Sequence, residues 1–288
     1  MYIAWQTMIK KLIINADDFG LHTSINKAVE ITHQKGILTS SSLVVNGEAA
    51  EEAFQIARRN PNLGVGIHLT LNGEKPTAPL HQISSLLDHQ GKLFENHMQF
   101  CWHVLRRKIS LNHVRIELET QIQTFLHAGL IPTHVDGHRH IHLFLPIFNI
   151  IKELMIKYKI SKIRFLRIPS LDTRKTSLIK LISLGILQFP KLTKPCFKSP
   201  DYFVGFFRSG SMSLDYLFHI IPQLKKGVSE INFHPATDRK EMELKYGFWK
   251  KAHRWEGQWE QEFTILLNPS LKNFIEQQKI HLVSYKDL

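Results

Sequence analysis

The stretch KLIINADDFG, residues 11–20, decides how the chain is read. Lys11–Ala16 is a short apolar run suited to a buried strand, and it ends in two adjacent carboxylates, Asp17 and Asp18, before Phe19-Gly20 turns the chain. Helical spacing over Ser24–Gln34 follows and stops at Gly36. A second strand is expected over Ile37–Val45, a helix over Glu48–Arg59 broken by Asn60-Pro61, and a third strand over Leu63–Leu69. Residues 73–100 read as loop-rich and 170–210 as irregular. The alternation continues through helices at Asn112–Ala128, Pro146–Lys157, Ser213–Lys225 and Ser270–Gln278. The matching strands are Pro132–Asp136, Lys162–Ile168, Val228–Phe233 and Ile280–Tyr285. Strand followed by helix, six or seven times, predicts an α/β fold with a parallel sheet and covering helices. About seven such units suffice to curl into a barrel, and one domain over 1–288 with a basic and apolar insert at about 170–210 is the economical organisation.

The composition agrees. Hydrophobic residues make up 43% of the 288 and charged residues 22%, which excludes wholesale disorder. The two cysteines, Cys101 and Cys196, supply neither a disulfide framework nor a cysteine-rich zinc site. The net charge of +12 is local. Residues 151–200 hold 12 Lys/Arg against two acids, Glu153 and Asp172, while the rest of the chain is almost balanced. A nucleic-acid binder would spread that charge or interleave it with stacking aromatics, so no nucleic-acid partner is expected. Within the basic block, Leu178–Leu187 is a largely apolar stretch interrupted by Lys180 and too short to span a bilayer. It reads as an ordinary helix with a solvated basic face, or as a lid lying on a membrane surface. No apolar h-region precedes the first strand and no apolar run reaches 18 residues, so a cytoplasmic location is expected.

In parallel α/β folds the ligand site lies at the carboxyl ends of the strands. Four strands here end in potential acids, bases or metal ligands: Asp17-Asp18, His68, Asp136 with His138, and His234-Pro235. The segment THVDGHRHIH is the densest part. His134, Asp136, His138, His140 and His142 share parity, so an extended chain would point all five to one side. The chain leaves the strand near Gly137, which leaves one or two as ligands and the others to orient them or to contact substrate. Adjacent buried carboxylates repel; a cation neutralises one and frees the other to act as a base. One carboxylate and two imidazoles suit a divalent ion with open positions for water and substrate. Trp249, Trp255 and Trp259 are expected to pack against the barrel rather than to stack on a sugar.

The runs INADDFGLHTSINKAV, GILTSSSLVVNG, GVGIHLTLNGEKP, PTHVDGHRHIH and NFHPA together resemble the YdjC-like carbohydrate deacetylases. The resemblance implies an irregular (β/α) barrel of the glycoside hydrolase/deacetylase type. It also implies an enzyme, a carbohydrate N-deacetylase that uses a divalent metal to hydrolyse an N-acetyl group from an N-acetylglucosamine-containing oligosaccharide or lipid-linked sugar. It makes Asp18, His68 and His138 the metal ligands and Asp17 the general base. His234 would protonate the leaving amine and Arg167 would orient the base. It points to Mg²⁺, although two imidazoles equally suit Zn²⁺ or another transition metal. A homodimer is the family expectation. The basic segment 163–198 adds a second expectation, peripheral contact with anionic lipid at the inner face of the membrane. The alternatives are a metal-dependent hydrolase of another bond such as a phosphoester, and a non-catalytic sugar-binding protein on the same fold.

Overall fold

The computed structural model describes residues 9–169, 197–253 and 257–288. The central strand is β1 (Lys10–Phe19), with β2 (Ser40–Leu43), β3 (Gly64–Leu69) and β4 (Val135–Gly137) following on one side. β5 (Tyr202–Val204) and β6 (Gly227–Phe233) lie on the other, β6 against β1, and β7 (Ile280–Leu282) pairs with the first residues of β1. The order is β4-β3-β2-β1-β6-β5 and every pairing is parallel. Bridges of Val135 with Ile163 and of Lys162 with Lys198 carry the sheet from β4 toward β5. Phe203 N then donates to Arg167 O at 3.0 Å, so the sheet curls into the expected irregular barrel.

The strand expected over Lys162–Ile168 is not regular. Its backbone meets β4 on one side and residues 198–203 on the other at different points, and only the two bridges form. β5 lies inside the stretch read as irregular; 170–196, which hold Leu178–Leu187 and Cys196, fall outside the described residues. The sheet is covered by α1 (Thr23–Lys35), α2 (Ala50–Arg59), α3 (His97–Leu105), α4 (Leu111–His127), α5 (Leu145–Lys157), α6 (Leu214–Ile220), α7 (Arg239–His253), α8 (Trp259–Leu266) and α9 (Pro269–Gln277). Three of these, α3, α7 and α8, were not expected from the sequence. In α3 the reason is visible: Met98, Trp102 and Leu105 face solvent, so its apolar residues do not trace an inward stripe. α6 is shorter than expected because Pro222, lacking an N–H, converts its end to a 3₁₀ turn. Trp259 is buried, as a packing role requires. Among the described residues no helix is long and apolar enough to cross a membrane.

The two faces of the strands differ. Leu12, Ile14 and Ala16 of β1 join Ile67 and Leu69 of β3, Val29 of α1, Phe125 of α4 and Ile151 of α5 in one apolar cluster between sheet and helices. The alternate residues are polar and equally buried: Asn15, Asp17, Ser42, His68, Asp136, Glu230 and Asn232. The barrel interior is therefore a polar core, stable only if its groups satisfy one another.

Two local features shape it. The register between β1 and β2 shifts between Ala16 and Phe19, and Asp18 takes φ +67. This bulge breaks the strict alternation, so consecutive carboxylates turn toward one site instead of opposite faces. In β3, Gly66 leaves room for the His134 ring; a Cβ there would lie 2.3 Å from His134 Cε1. His134 is in turn stacked on Tyr285, with ring centroids 3.5 Å apart, and cannot retreat. Gly66→Ala is expected to destabilise the fold by about 1–3 kcal/mol, the usual range for overpacking a filled interior. A denaturant midpoint unchanged from the parent would show that the His134–Tyr285 stack yields freely.

Candidate functional site

The carboxyl ends of β1, β3 and β4 meet at one rim. Asp18 Oδ1 lies 3.1 Å from His138 Nδ1 and 3.5 Å from His68 Nε2. One potential ligand atom from each of the three falls within 4.8 Å of the others, and all three residues are buried. His68 stands opposite Asp136 in the β3–β4 register, and its Nδ1 is 2.8 Å from Asp136 Oδ1. That contact fixes the Nδ1–H tautomer and turns Nε2 toward Asp18, the carboxylate–imidazole arrangement that orients metal-binding histidines. Burial pulls the His68 imidazolium down, but the charges of Asp136 and Asp17 more than reverse this and raise it to about 9. Burial pushes the Asp18 carboxyl up, yet the neighbouring His138 brings it well below the usual carboxylate range. At His138 burial dominates and lowers the imidazolium.

Of the five same-parity residues, the structure brings only His138 into this set. β4 ends at Gly137, and a tight turn follows in which Arg139 and His140 both have positive φ, 52° and 57°. The turn places His140 against the rings of Phe203 and Phe206. It folds His142 back so that its Nε2–H donates to Arg164 O at 3.0 Å. His134 stays inside the barrel, where Ser42 Oγ is 3.2 Å from its Nε2. Burial holds its imidazolium down to about 3, so it is neutral.

Asp17 faces a different partner. Arg164, fully buried, grips it as a fork: Nη2 to Oδ1 at 2.9 Å and Nη1 to Oδ2 at 3.0 Å. Asn15 Nδ2 donates to Oδ1 at 2.9 Å and Asn232 Nδ2 to Oδ2 at 2.8 Å, so each oxygen accepts two hydrogen bonds. Burial alone would raise this carboxyl; the Arg164 charge outweighs it and holds Asp17 below its ordinary value. The same guanidinium reaches Asp136 Oδ2 at 2.7 Å and Glu230 Oε1 at 2.7 Å. Burial lifts the Glu230 carboxyl to about 7 against the pull of Arg164.

Arg167 is not the arginine that meets Asp17; Arg164 is. The Nη1 of Arg167 is 3.9 Å from Asp201 Oδ1, on the far side of the extended segment, whereas Arg164 three residues earlier points inward. The odd separation gives the two arginines opposite parity, so only one of them can meet the three buried acids Asp17, Asp136 and Glu230. His234 does approach: its Nε2 is 3.9 Å from Asp17 Oδ2, and its backbone N–H donates to Glu262 Oε2 at 2.5 Å. Glu230 and Tyr285 were missed because no motif surrounds them, Arg164 because Arg167 was chosen in its place, and Asn232, although it opens NFHPA, because His234 drew the reading.

The donor set of Asp18, His68 and His138 fits a divalent cation: one carboxylate oxygen and two imidazole nitrogens, with one ring already held by a carboxylate. A second acidic grouping, Asp17 with His68 and Asp136, does not fit, because Arg164 already neutralises both of its carboxylates.

A parallel α/β barrel with acid and imidazole groups gathered at its carboxyl-end rim has the layout of a barrel enzyme. The chain belongs to the YdjC-like protein family, whose sequence profile matches residues 11–277. A carbohydrate deacetylase of Thermoanaerobacter pseudethanolicus is 30% identical over 283 residues, covering 97% of this chain and 100% of that one. A carbohydrate deacetylase of Clostridium beijerinckii is 28% identical over 96% of this chain and 100% of its own length. A chitooligosaccharide deacetylase of Proteus mirabilis is 36% identical over 148 residues, 51% of this chain and 55% of that one. A crystal structure from Enterococcus faecalis V583, described as a candidate cellobiose-phosphate cleavage protein, superposes with a TM-score of 0.77 at 26% identity. It covers 97% of this chain and 98% of that chain.

If Asp136 orients the ligand set, Asp136→Asn should weaken Zn²⁺ or Mn²⁺ binding by about 10–100-fold, read by calorimetry on folded protein. Unchanged affinity would mean that His68 needs no partner to present Nε2.

Proposed function

We propose that this chain is a metal-dependent carbohydrate deacetylase that hydrolyses the N-acetyl group of an amino sugar to acetate and a free amine. The observation that supports this reading best is the pairing, at one rim, of the Asp18–His68–His138 donor set with a second aspartate held ionised by a buried arginine. Full-length relatives named carbohydrate deacetylases supply the substrate class.

Asp18, His68 and His138 would hold the ion. When bound, such an ion polarises an amide carbonyl and lowers the pKa of a neighbouring water. The remaining work falls to side chains. Asp17, ionised across the neutral range, takes the proton as the water oxygen attacks the acetyl carbon. Arg164 fixes the plane of that carboxylate, and Asn15 and Asn232 fix its tilt. His234, whose Nε2 lies 3.9 Å from Asp17 Oδ2, gives a proton to the sugar nitrogen as the C–N bond breaks.

One observation favours a second assignment. Four donors already fill the lone pairs of Asp17, which makes it a weak proton acceptor. In that version His234 takes the water's proton and later delivers it to the amine, and Asp17 stabilises the imidazolium that forms between the two steps. Either assignment leaves Asp17 indispensable to proton transfer.

Asp17→Asn should lower acetate release from N-acetylated chitooligosaccharides by about 10²–10⁴-fold while metal affinity stays near that of the parent. Near-normal turnover in that variant would remove Asp17 from the chemistry. Chelation followed by refilling with Mg²⁺ or Zn²⁺ should abolish and restore acetate release, and activity indifferent to chelation would refute the metal assignment.

A further inference from the structure

We infer that Glu230 and Tyr285 are positioning residues that align Arg164, and through it Asp17, from the opposite end of the barrel. The inference rests on the role of Asp17 in proton transfer given above.

The connection is continuous. Tyr285 enters the barrel from the amino-terminal side of the strands. Its backbone N–H donates to Ser40 Oγ at the start of β2 (3.1 Å), and its carbonyl accepts from Lys162 Nζ (2.6 Å). The ring runs inward, stacked on His134, and the phenol donates to Glu230 Oε2 at 2.5 Å. The other oxygen of Glu230 accepts twice from Arg164, from Nε at 3.0 Å and from Nη2 at 2.7 Å. Arg164 then closes its fork on Asp17. Tyr285, Glu230 and Arg164 are each fully buried, so no water competes for these contacts.

The geometry explains why Arg164 needs this support. A guanidinium presents five N–H donors in one plane. With only Asp17 and Asp136 at its Nη ends the whole plane could still swing about the Cδ–Nε bond and slide between the two carboxylates. Glu230 on the Nε edge removes that freedom, since one oxygen bonding both Nε and Nη2 fixes the plane and its in-plane rotation. Tyr285 fixes Glu230 in turn by occupying its outer oxygen. Asn232, opposite Asn15 across β1 and β6, ties the same assembly to Asp17 directly. The reacting groups themselves touch neither Glu230 nor Tyr285, so the influence of both passes through Arg164.

Tyr285→Phe keeps the ring and its stack on His134 and removes only the phenol. Glu230→Gln keeps the shape and removes the charge. In folded, metal-loaded protein, Tyr285→Phe should lower kcat for acetate release by about 5–10-fold and Glu230→Gln by about 10–100-fold, the scale of a small misplacement of a reacting group. KM and metal affinity should hold. The double variant should be no slower than Glu230→Gln alone, because the phenol acts only through that carboxyl. Adding Tyr285→Phe to Asp17→Asn should cost nothing further. Parental kcat in both single variants would overturn the inference, as would multiplying losses in the double variant or a loss shared between KM and metal affinity. Should Asp17→Asn itself remain active, the proton-transfer reading falls first. If Asp17→Asn is dead while Tyr285→Phe and Glu230→Gln are unimpaired, only the positioning role is lost.

Discussion

Arg164 is the group on which the interior depends. One cation, fully buried, stands against three buried carboxylates, Asp17, Asp136 and Glu230. Burying any of these four alone would cost several kcal/mol per charge; together they offset one another only while the geometry of the fork is kept. Arg164 sits on the irregular segment that carries the sheet from β4 toward β5. Closure of the barrel and neutralisation of its interior are therefore the same event.

Charge balance also separates the two aspartates. Asp17 is neutralised by a fixed protein cation and accepts four hydrogen bonds, whereas Asp18, one residue on, faces two imidazoles. The bulge that gives Asp18 its positive φ creates this division of labour from two identical side chains. Adjacent carboxylates on a regular strand would lie on opposite faces, and one would be lost in the apolar layer.

Much of this was legible in the residues. The apolar run at Lys11–Ala16, the strand–helix alternation and the acids and histidines at strand ends lead to a parallel barrel with a rim site, because hydrophobic period and strand-end chemistry are local properties. Asp18, His68 and His138 meet as the motifs suggested. Arg164 was not found, since Lys162–Ile168 carries two arginines three apart and only the closed barrel decides which one faces inward. Glu230 and Tyr285 were invisible for a related reason. Their partners lie 66 and 55 residues away along the chain, and no short pattern encodes such a contact. α3 escaped because its apolar residues are divided between the two faces, Phe100 and Val104 inward and Met98, Trp102 and Leu105 outward, and trace no single stripe.

The members of the charge network are strung along nearly the whole sequence, at positions 17, 136, 164, 230 and 285. A ribosome delivers them one at a time. Asp17 emerges with the first strand but has no cation until Arg164 has followed, and Glu230 has no phenol until Tyr285 has been added. A nascent chain with β1 to β4 made thus carries an acidic interior offset only by His68, together with an open sheet edge, which weakens the early strands as a separate unit. Contacts of such long sequence separation also slow folding, since loop closure precedes their reward. The wiring that holds the rim in place thus favours late, collective folding over stepwise assembly, and the unfinished chain has the greatest need of protection from aggregation during its own synthesis.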